Sequence, residues 1–268
     1  MPARCFDAQV FSRTQVAPAI HRLTVRWPET VPMPHAGQFC MLRAWGRDEA
    51  PLLSRPISVH EAYPIRGDEP ICENGQPLQL VTFLFEVKGR GTGCLAQLEA
   101  GDTLQITGPA GNGFDFSDLA KGTKVALVGG GIGTAPLYQA ARELAAMGIR
   151  ADVYYGFRDE PYEMEPYRHT AGVVRVATDS GRVGFHGFVT QMLKPEEYDL
   201  VVCCGPEVMM RRVAAMCAQQ NTRCLVSLEK KMACGIGACL GCTCKTKSGE
   251  GKSVCKHGPV FDAKEVFE

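Results

Sequence analysis

Five cysteines crowd the last 35 residues of this 268-residue sequence, and four of them have the spacing of a metal site. Four residues separate Cys234 from Cys239, two separate Cys239 from Cys242, and Cys255 follows. Thiolates at this spacing hold [2Fe–2S] centres. The intervening Gly235-Ile236-Gly237-Ala238 and Leu240-Gly241 are mostly small or flexible, so the backbone can fold tightly and aim amide hydrogens at sulfur. A structural zinc ion is the alternative, because Cys239 and Cys242 with two further cysteines also supply four thiolates. Cys244 is a fifth thiol that can replace Cys242 in the ligand set.

A second group of residues suits a phosphate-bearing ligand. Arg55-Pro56-Ile57-Ser58 opens an expected strand. A guanidinium grips a pyrophosphate through two parallel hydrogen bonds, and a proline fixes the backbone that aims it. Ser58 would then reach a flavin ring or its ribityl chain. An arginine on a barrel rim, beside an edge-strand proline, is the plainer reading of the same four residues. A companion segment lies at Leu84-Phe85-Glu86 and Gly91-Thr92. There, Gly89 to Gly93 precedes a short helix expected at Cys94–Leu98, whose first amides would face a phosphate.

The third group is Gly129-Gly130-Gly131-Ile132-Gly133-Thr134-Ala135-Pro136, placed after a strand and opening a helix. Glycines let the backbone approach a pyrophosphate, and the helix end adds amides and a favourable dipole. Gly130, Gly131, Gly133 and Thr134 are the candidate binding residues. The run departs from G-x-G-x-x-G, because the third glycine position falls on Thr134 or Pro136. A glycine turn in a domain that binds no nucleotide is the alternative. A matching turn, Cys204-Gly205-Pro206, follows a later strand, and open parallel sheets take ligands at such carboxyl ends. The segment Gly156 to Glu160 stands where an adenosine ribose is met, and its acids favour NAD over NADP, with Arg158 as the opposing residue.

These residues need two kinds of scaffold. Residues 1–117 are expected to form an antiparallel β-barrel, with alternating runs at Ile20–Trp27, Phe39–Trp45, Ile57–His60, Leu78–Val87 and Thr103–Thr107. Tyr63–Pro77 reads as an exposed loop. Residues 118–223 alternate strand and helix, which implies a parallel sheet covered on both faces. Its strands are expected at Val125–Val128, Asp152–Tyr155, Val173–Ala177 and Leu200–Cys203, with Cys224–Leu228 following, and its helices include Ala135–Met147 and Glu207–Gln219. Residues 224–268 read as a small cysteine-rich appendage.

Composition excludes several classes. Twenty-nine basic residues balance 29 acidic ones, so there is no electrostatic footprint for nucleic acid. The uncharged run Val125–Ala141 is broken by four glycines and a proline, which suits a strand–turn–helix and not a membrane span. The amino terminus lacks the pattern of a secretory signal. An odd total of 13 cysteines argues against a disulfide framework and points to a reducing compartment, the cytoplasm. Gly251-Lys252-Ser253 imitates the end of a P-loop, but Thr246 stands where its first glycine belongs. No H-E-x-x-H or G-x-S-x-G pattern occurs.

In this order the three motifs resemble the ferredoxin-reductase-like superfamily, in which a barrel binds FAD and an α/β domain binds NAD(P). The stretches Leu228 to Cys239 and Ser253 to Phe261 narrow the likeness, as do Ala177 to Gly181 and Gly187 to Thr190. They closely resemble the electron-transfer subunits of class B dihydroorotate dehydrogenases. The resemblance implies FAD on Arg55, Pro56, Ile57, Ser58, Leu84, Phe85, Glu86, Gly91 and Thr92. It implies a [2Fe–2S] cluster on Cys234, Cys239, Cys242 and Cys255, with NAD as substrate. It further implies a catalytic partner subunit that carries FMN and oxidises dihydroorotate, joined as a heterotetramer of two copies of each chain. Subunits of ferredoxin- or sulfide-linked NAD(P) oxidoreductases share the superfamily and form the alternative.

Overall fold

The structure, a computed structural model, describes residues 3–46, 48–65 and 68–267. Six antiparallel strands close into a barrel in the order Arg4–Ala17, Ile20–Arg26, Leu80–Glu86, Arg55–Tyr63, Phe39–Arg43 and Thr103–Ala110. The alternation read in the second strand is its burial pattern: Leu23 and Val25 face the barrel core with Val59, Phe83 and Ile106. Leu80–Glu86 is buried from Leu80 to Phe85 because it is covered twice. Val81, Phe83 and Phe85 point inward, while Leu84 packs outward against Ile20 of the adjacent barrel strand and Ala135 of the neighbouring unit. The longest strand, Arg4–Ala17, was not expected. Only Ala8 and Val10 are buried in it, and its second half carries polar residues on both faces.

A seven-stranded sheet follows, in the order Phe185–His186, Val174–Thr178, Asp152–Phe157, Val125–Gly130, Leu200–Cys204, Arg223–Ser227 and Val260–Asp262. All neighbours are parallel except the last pair. Helix Ala135–Ala146 buries Leu137, Ala140, Ala141 and Leu144 on one face, and helix Glu207–Gln219 buries Met210, Val213 and Cys217 on the other. The chain runs one way from Val125–Gly130 and later returns to its other side with Leu200–Cys204. The carboxyl ends of these two strands are therefore the switch point of the sheet, where α/β folds open a crevice.

Three expectations need correction. The short helix is Arg90–Leu95, four residues earlier than read, which puts Gly91 and Thr92 inside its first turn. The segment read as a loop at 63–77 holds a small hairpin, Cys72–Glu73 with Gln76–Pro77; Arg66 and Gly67 lie outside the described residues. The cysteine-rich segment is not a terminal appendage with a boundary at 223/224. That division cuts into the Arg223–Ser227 strand, and after the cysteine lobe the chain rejoins the sheet through Val260–Asp262. The lobe has little core of its own, so Cys242, Val254, Cys255 and Phe261 are buried in the same cluster as the sheet residues Ala126 and Val226. Gly251–Ser253 is itself a strand, paired with Thr243–Lys245, which removes the P-loop reading. Among the described residues no helix is long and apolar enough to cross a membrane.

Candidate functional site

The arginine motif and its companion segment meet in one cavity of about 370 Å³. Arg55, Pro56, Ile57, Ser58, Leu84, Phe85, Glu86 and Thr92 are all in its wall. Arg55 is held from behind: Nη1 donates to the carbonyls of Leu53 and Ser54, and the guanidinium lies 5.7 Å from the centre of the Trp45 ring. Its Nε and Nη2 have no hydrogen-bond partner among the described residues. Gly91 is not in the wall but beneath it, directly under the guanidinium. Thr92 Oγ1 accepts the amides of Lys88 and Gly89 at 2.9 and 3.2 Å, so this hydroxyl also closes the turn that leads into the helix.

The glycine turns line a second, larger cavity of about 1310 Å³. Gly130, Gly131, Gly133, Gly205 and Pro206 are in its wall. The two turns interlock backbone to backbone: a Cβ on Gly133 would stand 2.4 Å from Gly205 Cα and 2.6 Å from the Cys204 carbonyl oxygen. No residue with a side chain fits there without displacing the turn. Thr134 is buried, and its hydroxyl donates to the Gly131 carbonyl at 3.0 Å, so it fastens the turn and does not face the cavity. Cys204 also departs from expectation, because it lines the smaller cavity. Burial, then the nearby Glu229 carboxylate, pushes its thiol up against the opposing hydrogen bond with Ser227, so the thiol stays neutral.

The two cavities share Glu86, Lys88, Ile132, Leu228, Glu229 and Lys230. Sequence reasoning placed Glu86 in the companion segment and singled out the stretch from Leu228 only by likeness, and it missed Lys88 and Ile132 as wall residues. The far end of the larger cavity is lined by Arg158, Asp159 and Glu160, as the sequence suggested, and by Asp179 and Phe188, which it did not assign. Arg182 pairs with Asp159 at 2.8 Å and Glu160 at 3.6 Å.

Next to this shared wall lies the cysteine lobe. Met232 lines the smaller cavity, Cys234 follows two residues later, and a Cβ on Gly235 would collide with Met41 of the barrel. Backbone amides point at all four candidate sulfurs. Ile236 and Cys239 donate to Cys234, Gly241 to Cys239, Cys255 to Cys242, and Gly237 to Cys255, at 3.1 to 3.5 Å. Burial pushes the Cys234 thiol up, but the Ile236 and Cys239 amides and the Cys239 thiol outweigh it and bring it to about 6. Cys255 is pushed up to about 12 by burial and by the thiol of Cys242. Cys244 is turned away: its thiol donates to the Lys252 carbonyl at 3.4 Å within the lobe's hairpin.

The thiols thus fall into two pairs, Cys234 with Cys239 and Cys242 with Cys255, and in each pair the later cysteine's amide donates to the earlier sulfur. Among the described residues no three His, Cys, Asp or Glu side chains gather around one point to hold a single metal ion. Two thiol pairs fit a two-iron cluster, which offers two iron atoms with two protein thiolates each, better than they fit one tetrahedral zinc.

A closed barrel and a parallel sheet whose cavities meet beside a four-thiol lobe define a ferredoxin-reductase-like protein with an iron–sulfur lobe. The fold matches a solved NADH-dependent reduced ferredoxin–NADP oxidoreductase with a TM-score of 0.76 and 25% identity, over 97% of this chain and 89% of that one. It also matches a ferredoxin–NADP⁺ reductase from Neisseria gonorrhoeae with a TM-score of 0.61 and 14% identity, over 81% of this chain and 91% of that one. Residues 229–267 match the family model for the iron–sulfur cluster binding domain of dihydroorotate dehydrogenase B. Two proteins named dihydroorotate dehydrogenase B (NAD(+)), electron transfer subunit, are similar over nearly their whole length. That of Clostridium acetobutylicum is 43% identical over 97% of this chain and 96% of its own. That of Clostridium perfringens is 39% identical over 99% of each. The chain belongs to this family of electron-transfer subunits.

Proposed function

We propose that this chain passes electrons between a dihydroorotate-oxidising catalytic subunit and NAD⁺, through a [2Fe–2S] cluster and FAD. The observation that carries the reading is the wall common to the two cavities, with the cysteine lobe beginning immediately beyond it. Arg55 supplies uncommitted guanidinium donors for the FAD pyrophosphate, and Pro56, Ile57, Ser58, Leu84, Phe85, Glu86 and Thr92 line the rest of that cavity. Gly130, Gly131, Gly133, Gly205 and Pro206 bring backbone close to the nicotinamide dinucleotide. Cys234, Cys239, Cys242 and Cys255 hold the cluster.

FAD supplies the exchange between a two-electron hydride and the single electrons of an iron–sulfur centre. The residues of this chain bind and orient. Thr134 and the interlocked glycines fix the nucleotide turn, and the neutral, buried Cys204 adds no charge to the flavin cavity. Orotate chemistry, with the acid or base it requires, falls to the partner, and no side chain of this chain need supply it. Ile236 and Leu240 are 55% and 65% exposed on either side of the exposed Cys239, and this apolar rim suits docking of the FMN subunit over the cluster. A heterotetramer with two copies of each chain satisfies such an arrangement. All 13 cysteines are free, which suits the cytoplasm.

The isolated chain, purified with flavin and iron–thiolate absorption bands, should carry electrons from NADH to artificial acceptors and fail to oxidise dihydroorotate. Adding the FMN subunit should create NAD⁺-dependent dihydroorotate oxidation. Turnover of dihydroorotate by the isolated chain refutes the division of labour. Failure of the FMN subunit to bind supports a ferredoxin- or sulfide-linked reductase in its place.

A further inference from the structure

Helix Ala135–Ala146 begins at the glycine turn and lies along the barrel strand Arg55–Tyr63, which begins with the arginine motif. That strand pairs with Phe39–Arg43 only as far as Ser58, so beyond Ser58 its backbone has no strand on this side. Side chains of the helix take the missing strand's place. Gln139 Oε1 accepts the Ala62 amide at 2.8 Å, and Arg142 Nη1 donates to the Ala62 carbonyl at 2.6 Å. Gln139 Nε2 also donates to Glu143 Oε1 at 3.0 Å, and that oxygen accepts the Ala36 amide of the barrel at 2.8 Å. Arg142 extends the network to Glu61 and Asp68. Gln139 is 1% exposed and Arg142 5%, so these are connections inside the protein and not solvated contacts.

We propose that Gln139 is a positioning residue for hydride transfer. With Arg142 it fixes the helix that carries the nucleotide turn against the strand that carries the flavin motif, and so sets how the nicotinamide meets the flavin. The inference rests on the function proposed above. Apolar packing alone lets a helix slide on a strand, whereas a satisfied amide–carbonyl pair has one good geometry, and a buried amide left without its partner is costly. Hydride transfer is sensitive to small displacements, because the reacting atoms must approach to about 3–3.5 Å.

The test uses the full chain loaded with FAD and cluster, in which Gln139→Met keeps side-chain length and removes the acceptor. Flavin reduction by NADH is followed anaerobically by stopped flow. The limiting rate should fall roughly ten- to a hundredfold, with unchanged NADH Kd, FAD stoichiometry and cluster absorbance. Gln139→Glu combined with Glu143→Gln exchanges the amide and the carboxylate, keeps acceptors for the Ala62 and Ala36 amides and the donor–acceptor link between the two side chains, and should recover most of the rate. An unchanged limiting rate, or one that falls only in proportion to lost FAD or cluster, overturns the proposal. Should Gln139→Met fail to fold, Arg142→Lys keeps the charge facing Glu61 and Asp68 but loses the forked donor, and the same outcomes decide. A parent chain whose flavin NADH does not reduce sinks the proposed function itself; unaffected Gln139 variants sink only this inference.

Discussion

Arg55 lies across Gly91, so that a Cβ placed on the glycine would stand 2.6 Å from Arg55 Nε and 2.9 Å from Cζ. The arginine opens a barrel strand and the glycine sits in the first turn of helix Arg90–Leu95, so two separate motifs meet at one guanidinium. With Trp45 near the same group, Gly91 serves as its floor. Gly91→Ala should displace the guanidinium and weaken FAD binding even though residue 91 is not in the cavity wall. The loss of a charged hydrogen bond is worth about 1.5–3 kcal/mol, so Arg55→Ala should raise the FAD Kd by at least tenfold, and Gly91→Ala should follow in the same direction. Fluorescence titration of the apoprotein with FAD measures both. Two unchanged Kd values would remove Arg55 from the site.

How much of this was legible in the sequence depends on what each residue does. Glycines at the switch point and the cysteine spacing announce themselves, because backbone approach and thiolate ligation restrict residue type. Spacing could not separate Cys242 from Cys244, which lie two positions apart; only the pairing of Cys244 with Lys252 in a hairpin turns one thiol away. Gln139 and Arg142 were invisible for a different reason. Polar residues on a helix read as a solvated face, and nothing local distinguishes that from a face buried against another domain. The Arg4–Ala17 strand escaped because a barrel strand with few buried residues has little hydrophobic alternation to see.

The domain junction carries a pH-sensitive histidine. His60 is buried, its Nδ1 is 2.8 Å from the Ala135 carbonyl, and its Nε2 is 4.0 Å from Glu163. Burial first, then Arg22 and Arg142, lower its pKa from 6.5 to about 4, against the raising effect of the Ala135 carbonyl. The unfolded chain therefore takes up a proton below about 6.5 that the folded one refuses until about 4. Stability from this group is complete above the upper value and is lost as pH falls toward the lower one. Burial raises Glu61 and Glu143, which act in the opposite sense, so the comparison must be with a variant. Between pH 7 and pH 5 the parent should lose about 2 kcal/mol more than His60→Gln, read from urea midpoints. Equal losses would show that His60 is not held neutral.

The ligand assignment in the lobe makes a sharp contrast between neighbouring thiols. Cys239→Ser and Cys255→Ser should each abolish the cluster absorbance and leave FAD in place, since Arg55 and its companion segment lie on barrel elements apart from the four thiols. Cys244→Ser should keep the cluster, because a serine hydroxyl can donate to the Lys252 carbonyl as the thiol does. Loss of the spectrum in Cys244→Ser, with retention in Cys242→Ser, would exchange the two assignments. Joint loss of flavin and cluster from a folded Cys239→Ser protein would count against separate sites.

Nucleotide choice turns on the far end of the larger cavity. Asp159, Glu160 and Asp179 line it with Arg158, and Arg182 neutralises part of the acid through its pairs with Asp159 and Glu160. Asp179 has no cation partner among the described residues, so one negative charge remains exposed where an adenosine ribose would lie. A 2′-phosphate brings about −1.5 to −2 charges at neutral pH, and repulsion of about 1.4 kcal/mol is a factor of ten. NADH should therefore exceed NADPH in kcat/KM by about tenfold or more. Asp179→Asn should raise kcat/KM for NADPH several-fold and leave that for NADH nearly unchanged. Arg158 pulls the other way, since a guanidinium can grip a phosphate. Arg158→Ala should widen the preference for NADH, and the widening should shrink as salt screens the charges. A parent enzyme that prefers NADPH, or an Asp179→Asn variant with an unaltered ratio, would defeat this account of the acidic end.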